Sequence, residues 1–348
     1  MIKTIVLTLA PHNPNPELIR QASAVIQRRG LVAFPTETVY GLGANALDEE
    51  AVAKIFAAKG RPSNDPLIVH VASLEDVNLV ASEIPPIVQK LADAFWPGPL
   101  TLVLPKLSHV PASVTAGLNT VAVRVPSHPV ALALIRASGS PIAAPSANRF
   151  GHTSPTTAAH VLDDLNGRID MILDGGAASV GVESTVLDVT RTPPMILRPG
   201  GVSREAIEEV IGKVELRNNR PASDDNAQVS PGLLGKHYTP NAELILCKGE
   251  KGSALEKLSE LAKQAQTAGR SVGLLLAEDD LPSFASLACL KYPLGNSNDL
   301  EAIARNLYAG MRALDHQNVN IILTRDFGAQ GLGLAIHDRL LRAASRII

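Results

Sequence analysis

At 348 residues the chain is long enough for two domains, each with a core of its own. Its 45% hydrophobic and 19% charged content fits a soluble globular protein, and no apolar run is long enough to span a bilayer. A formal net charge of −2 argues against a generally basic nucleic-acid binder, and two cysteines, Cys247 and Cys289, supply neither a disulfide framework nor metal-ligand spacing.

The N-terminal MIKTIVLTLAPHNPNPE has one lysine and a short apolar run without a signal-peptide body or cleavage site, so a cytoplasmic location is expected. Leu18, Ala22, Val25 and Ile26 then mark a helical face, and Gly30 to Phe34 reads as a short buried strand. Pro35 ends that strand because it has no N–H to donate. Behind it lies FPTETVYGLGA, where Thr36, Glu37, Thr38 and Tyr40 crowd polar groups at a strand end, a poor core and a good pocket. Gly41 and Gly43 are expected to let the backbone approach a ligand closely or take positive φ.

AKGRPSNDPLIVH, Ala58 to His70, sets Lys59 and Arg61 two apart before Ser63 and the strand Ile68 to Val71. Such cations either converge on a polyphosphate or decorate a solvated turn. Val88, Leu91, Ala92 and Phe95 mark another helical face, and WPGPLTLVLP is a rigid turn running into the strand Leu100 to Leu104. In NTVAVRVPSHP, Arg124 interrupts an apolar strand, Val121 to Val125. Its partner is open between a structural carboxylate and a ligand carboxylate. PIAAPSANRFGHTSPT repeats the strand-then-proline theme across Ile142 to Ala144 and follows it with Ser146, Asn148, Thr153 and Ser154. These side chains bind ligand oxygens or cap a helix beginning near Thr156. Strands at Met171 to Leu173 and Thr185 to Val189 follow, the second carrying Ser184 and Thr185 at its start. Arg198 precedes a glycine pair that turns into a helix starting near Ser203.

Strands alternating with helices up to about Gly212 indicate one compact α/β domain. The pattern lapses between Leu216 and Asn241 into a long loop rich in Asn, Asp, Ser, Pro and Gly, whose second half is SPGLLGKHYTP. Beyond it, Glu243 to Cys247, Ser271 to Leu276 and Val319 to Thr324 read as strands of a small parallel sheet. Leu300, Ile303, Leu307, Met311 and Leu314 line a helix face and are assigned to the core. The expected division is 1–212, a catalytic domain; 213–241, a linker; and 242–348, a small α/β domain.

Gly41, Gly43 and Ala46 satisfy G-x-G-x-x-A, but a proline-broken polar segment is the wrong setting for a dinucleotide fingerprint. The sequence contains no G-x-x-x-x-G-K-[ST], no H-E-x-x-H and no G-x-S-x-G, which leaves P-loop, zincin and serine-hydrolase chemistry without support.

Taken together and in this order, FPTETVYGLGA, the Lys59-Gly60-Arg61 pair, Arg124 with its strand, the Ser146-Ala147-Asn148 triplet, ESTVLD and LRPGG resemble the threonylcarbamoyl-AMP synthase family. The resemblance covers essentially the whole chain. It implies a YrdC-like twisted open mixed sheet with flanking helices, followed by the small Rossmann-like parallel α/β domain of the longer members. It implies an enzyme that joins L-threonine, bicarbonate and ATP into threonylcarbamoyl-AMP and pyrophosphate. The group then reaches the adenosine beside the tRNA anticodon through a threonylcarbamoyl-transfer complex. Carried over by motif position, Lys59 and Arg61 are the catalytic cations. They serve the nucleotide together with Ser63, Thr120, Ser146, Asn148, Ser154, Arg198, His237 and Tyr238. Thr36, His70, Arg124, Ala144 and Ser184 are implied to form the threonine pocket. Mg2+ is implied on the ATP phosphates, with no side-chain metal motif. The 213–241 segment is implied to fold over the nucleotide as a lid. Two alternatives stay open: a module for structured RNA, against which 16 basic and 19 acidic residues in 1–212 count, and a carbamoyltransferase related to hydrogenase maturation.

Overall fold

The computed structural model describes residues 3–217, 228, 230 and 238–348. They divide into two compact units. The first is Met1–Phe150, Ser154–Ser179 and Glu183–Gly235; the second is Gly151–Thr153, Val180–Val182 and Lys236–Ile348.

The first unit begins with β1 (Ile5–Thr8) and α1 (Pro16–Gln27). Asn15 caps α1 through the Glu17 N–H and Pro16 occupies the first turn, where its missing N–H costs nothing. The helix buries Ile19, Ala22, Val25 and Ile26, so Ile19 takes the core place expected of Leu18, which packs only partly. β2 (Val32–Phe34) and β3 (Gly41–Asn45) pair antiparallel, so FPTETVYGLGA spans a hairpin whose connection is residues 35–40. Neither Gly41 nor Gly43 has positive φ, contrary to one of the two roles expected for them. A Cβ on Gly43 would lie 2.7 Å from the Phe34 ring and 2.8 Å from Ile142, so the space is taken by core packing and not by a ligand.

α2 (Glu49–Lys59) is capped by Asp48 through the Ala51 N–H and stopped by Gly60 in the left-handed region at φ 64°, which leaves Lys59 as its last residue. The chain continues through β4 (Ile68–His70), α3 (Pro86–Phe95), β5 (Leu100–Pro105), β6 (Thr120–Arg124), α4 (Pro129–Ser138) and β7 (Ile142–Ala143). It then forms α5 (Ala158–Leu165), β8 (Met171–Asp174), β9 (Thr185–Asp188), β10 (Met195–Arg198), α6 (Arg204–Ile211) and β11 (Glu215–Leu216). The caps are Thr157 for α5 and Ser203 for α6. Among the described residues these strands make one eleven-stranded mixed sheet in the order β1-β8-β2-β3-β7-β4-β6-β5-β9-β10-β11. The segment after Gly212 opens with β11, which extends the sheet by pairing in parallel with β10.

The main core runs from Leu31 to Val214 and includes Leu42, Ile55, Val69, Leu91, Leu102, Val123 and Leu187. Each such fully buried aliphatic side chain contributes about 1.5–3 kcal/mol. Ile68, Val103, Ala122, Val186 and Leu197 form a separate small cluster. Residues two apart on a strand share a face, so His70, Arg124 and Thr101 continue the face of that small cluster.

The second unit contains β12 (Glu243–Cys247), α7 (Lys251–Thr267), β13 (Val272–Leu276), β14 (Leu290–Pro293), α8 (Leu300–His316), β15 (Ile321–Arg325), α9 (Gly333–Ala343) and β16 (Arg346–Ile347). Its five-stranded sheet has the order β14-β13-β15-β12-β16, and every recorded pairing is parallel. The expected Rossmann-like parallel domain is therefore present. Ile303, Leu307, Met311 and Leu314 are buried as the periodicity of α8 predicts.

Candidate active site

Across β4, β6, β5, β9 and β10 the register lines up a row of polar residues in an otherwise apolar sheet. His70 pairs with Arg124 on parallel strands, Thr101 pairs with Val186, and Val186 pairs in turn with Arg198. Thr101 lies one step beyond the Leu102–Val123 pair, which brings it alongside Arg124. His70, Thr101, Arg124, Ser184 and Arg198 are all buried. Burying charged groups is expensive unless they are paired or bind a ligand, so the row marks a site.

Arg124 is held on three sides. One terminal nitrogen meets Glu37 Oε1 at 2.5 Å, the other donates to Thr38 Oγ1 at 2.9 Å, and Nε donates to the Gly98 carbonyl at 3.1 Å. Of the two partners open in sequence, the structural carboxylate is present and is Glu37, whose other oxygen accepts the Ser127 N–H. Thr36 Oγ1 lies 2.8 Å from Thr38 Oγ1 and donates to the Val39 carbonyl, which stiffens the turn that carries Glu37. Glu37 stood in the quoted motif without a role; as the sole carboxylate of FPTETVYGLGA it was the natural counter-charge for a buried arginine.

His70 lies edge-on to Phe34, and its Nδ1 has no hydrogen-bond partner among the described residues. Burial, reinforced by the Arg124 charge, pushes its pKa down to about 3. The imidazole therefore stays neutral in the folded protein throughout the neutral range. An unfolded histidine titrates near 6.5, so between 6.5 and about 3 the unfolded chain takes up a proton that the folded chain refuses. Stability should fall in that window by about 1.4 kcal/mol per pH unit. His70→Asn should remove this loss, giving a smaller drop in urea midpoint between pH 7 and pH 5 than the parent; equal drops in the two proteins would contradict it.

On the other flank, Ser184 Oγ lies 2.7 Å from Thr101 Oγ1, and Arg198 donates to both the Ser184 hydroxyl and its carbonyl. A Cβ on Gly200 would sit 2.3 Å from Glu183 O, Ser184 C and Thr185 N, so the glycine pair after Arg198 permits this close backbone crossing. Ser154 Oγ donates to Glu183 Oε1 at 2.6 Å, which joins the SPT and ESTVLD motifs. Glu183 and Thr101 were not singled out in sequence.

Lys59 ends α2 with Nζ donating to the Ser146 and Asn148 carbonyls at 2.6 and 2.5 Å. Burial first, then the charge of Arg61, hold its pKa well below the usual lysine range. Ser146 Oγ donates to Asn148 Oδ1, and Asn148 donates onward to the Arg149 carbonyl, so neither residue caps α5. Arg61 forms a buried pair with Asp65 at 2.9 Å and donates to the Asp65 and Pro66 carbonyls. This removes the solvated-turn reading of Arg61. Ala144 is buried at the end of β7, its N–H bonded to the Ile68 carbonyl. Ser63 is exposed on the turn after Arg61. Thr120 starts β6, at the opposite end of that strand from Arg124. Gln228 of the linker is buried and bonds the Asn64 carbonyl through its N–H at 2.9 Å. Tyr238 belongs to the second unit, and His237 lies outside the described residues.

The sequence family Sua5_yciO_yrdC, described as telomere recombination, matches residues 24–200, and Sua5_C, the C-terminal domain of threonylcarbamoyl-AMP synthase, matches 202–345. Fold and site thus define a two-domain α/β nucleotidyltransferase of the Sua5 type. The threonylcarbamoyl-AMP synthase of Pyrococcus abyssi is 48% identical over 331 residues, 95% of each chain, and that of Bacillus subtilis is 46% identical over 332 residues, 95% of this chain and 94% of its own. The chain belongs to the threonylcarbamoyl-AMP synthase family. The crystal structure of P. abyssi Sua5 complexed with L-threonine superposes with a TM-score of 0.92 at 45% identity, covering 99% of this chain and 100% of that one.

Proposed function

We propose that this enzyme makes threonylcarbamoyl-AMP and pyrophosphate from L-threonine, bicarbonate and ATP, for modification of the adenosine next to the tRNA anticodon through a threonylcarbamoyl-transfer complex. The observation that carries the reading is the buried row His70–Arg124–Thr101–Ser184–Arg198. It offers an arginine for a carboxylate, two hydroxyls and a neutral imidazole for an amino acid, and a second arginine for a phosphate.

In this reading Arg124 holds the threonine carboxylate while Thr36, His70, Ala144 and Ser184 close its pocket. Neutral His70 adds no charge that would repel the amino group. The threonine amine and bicarbonate form a carbamate with release of water, and one carbamate oxygen attacks the α-phosphate of ATP in line, breaking the bond to pyrophosphate. Such a transfer asks the protein for position and charge neutralisation more than for covalent chemistry. Lys59, Arg61 and Arg198 meet the triphosphate, with Ser63, Thr120, Ser146, Asn148 and Ser154 along the nucleotide. Lys59 and Arg198 are each tied to backbone carbonyls, which fixes their cationic heads before substrate arrives.

Among the described residues no group of three or more His, Cys, Asp or Glu side chains could hold a metal ion. A Mg2+ carried on the phosphate oxygens of ATP is part of the proposal. The 213–241 linker, most of which lies outside the described residues, is proposed as a lid; in support, Gln228 and Ser230 are buried and the Gln228 N–H bonds the Asn64 carbonyl beside Arg61. Among the described residues no helix is long and apolar enough to cross a membrane, and a cytoplasmic setting is part of the proposal.

Mass spectrometry of the nucleotide formed from ATP, Mg2+ and bicarbonate tests the reading by comparing L-threonine with L-serine and no amino acid. A threonine-dependent acyl-adenylate with matching pyrophosphate is expected. A folded, ATP-binding protein that yields none would overturn the assignment and favour RNA binding or carbamoyl transfer.

A further inference from the structure

Beside its core face, α8 carries a second buried stripe at a spacing of four: Ala304, Tyr308 and Arg312. Each level of the stripe meets a different stretch of chain within the second unit. At the first, Gly181 lies against the helix backbone, where a Cβ would fall 2.3 Å from Arg305 Cα and 2.5 Å from the Ala304 carbonyl oxygen. Gly181 also has φ 81°, so glycine is required there twice over. At the second, Tyr308 stacks on Tyr238 with centroids 5.6 Å apart and planes at 27°. At the third, Arg312 donates to the Thr153 carbonyl.

Two of the gripped segments also hold one another. The Thr239 N–H bonds the Gly151 carbonyl at 2.9 Å, and His152 and Thr239 form a parallel bridge. Tyr238 is confined further by the buried Arg339 guanidinium 5.2 Å from its ring centre, itself paired with Asp338 at 2.6 Å. Tyr238 keeps a positive φ of 64°, a conformation that a tyrosine holds only where its surroundings over-determine it.

What these segments share is their place in the chain. Thr153 immediately precedes Ser154, Val182 immediately precedes Glu183 and Ser184, and Tyr238 immediately follows His237 of the linker. Ser154 and Glu183 are bonded to each other, and Ser184 belongs to the polar row. We propose that α8 is a positioning element of the synthase. Arg312, Tyr308 and the helix backbone at Ala304–Arg305 hold Thr153, Tyr238 and Gly181, fix where the chain enters Ser154 and Glu183–Ser184, and so set the spacing of the substrate site. Arginine suits the task because its planar fork holds a carbonyl in a set direction, and stacked tyrosines restrict rotation as well as distance. The inference rests on the functional reading above and extends it to residues outside the six motifs.

The experiment compares the full-length parent with R312M, which keeps an unbranched apolar stem and removes the donors, and with R312K, which restores a cationic donor group. Calorimetric Kd values for L-threonine and for Mg-ATP are measured together with pyrophosphate release and thermal midpoints. R312M should weaken one or both ligands by about fivefold or more, with R312K recovering most of the loss. A purely stabilising role would lower the binding-competent fraction and the apparent kcat while leaving Kd unchanged. Parental Kd values in folded R312M would therefore overturn the inference. Should R312M not fold, R312Q decides by the same comparison. A parent that binds both ligands and releases no pyrophosphate defeats the functional reading alone, because the Kd comparison still decides the role of α8; a parent that binds neither defeats both.

Discussion

Arg124→Met is expected to abolish threonine-dependent pyrophosphate release, with a loss of about a hundredfold or more, because in the proposed function Arg124 orients the carboxylate of the amino acid. The same change strands Glu37, a buried carboxylate whose cation lies 2.5 Å away, and removing one member of such a pair costs about 3–5 kcal/mol. The two effects separate in the double variant Glu37→Gln with Arg124→Met. With no unpaired charge left in the interior, it should regain most of the stability while staying inactive. Thermal unfolding and pyrophosphate release measured on the parent, both single variants and the double variant supply the whole cycle. Recovery of activity in the double variant would mean that Arg124 serves only to neutralise Glu37, and the threonine-carboxylate role would fall.

Lys59→Met should be the second large loss. An ammonium carries three donors, and two of them hold the Ser146 and Asn148 carbonyls. Methionine fills about the same volume but supplies neither those bonds nor the charge proposed to meet the triphosphate. Leaving the carbonyls without this donor costs about 1–3 kcal/mol each. Loss of the preorganised cation should lower pyrophosphate release by about a thousandfold. Lys59→Arg should not rescue it, since a planar fork does not reproduce a point charge wedged between two carbonyls. Single-turnover rates at saturating ATP, read beside the thermal midpoint, check this; a folded Lys59→Met variant within tenfold of the parent would remove Lys59 from the transfer step.

The contrast between Lys59 and Arg61 explains how far the site was legible. Both stood out as cations in an irregular segment, and both are buried. Their partners were not readable in the same way. Asp65 lies four residues from Arg61, a local pairing that spacing suggests, whereas the carbonyls holding Lys59 come from 87 and 89 residues away. Likewise Arg124 announced itself by breaking an apolar strand, but its partner Glu37 lies on a separate hairpin. Gly43 looked like a ligand glycine because composition cannot distinguish room for a substrate from room for the Phe34 ring.

The short strands were the least visible part of the fold. β11 and β16 are two residues each, too brief for any alternation to register, and they exist because a neighbouring strand offers unpaired backbone groups. α8 shows the same limit from the side of function. Its apolar periodicity identified the core face, while the stripe of Ala304, Tyr308 and Arg312 carried no signal until Gly181, Tyr238 and Thr153 were placed against it.

By itself the sequence determined where α1, α3, α5, α6 and α8 and most strands form, the two-part α/β organisation, and the chemical types gathered in each motif. Those properties follow from local periodicity, capping and proline or glycine placement, which act over a few residues. Only the tertiary structure decided that His70, Arg124, Thr101, Ser184 and Arg198 make one buried row, that Glu37 neutralises Arg124, and that α8 grips three separate segments. These depend on sheet order and register, which bring together residues far apart in the chain, and a single-residue shift in register would turn each side chain to the opposite face.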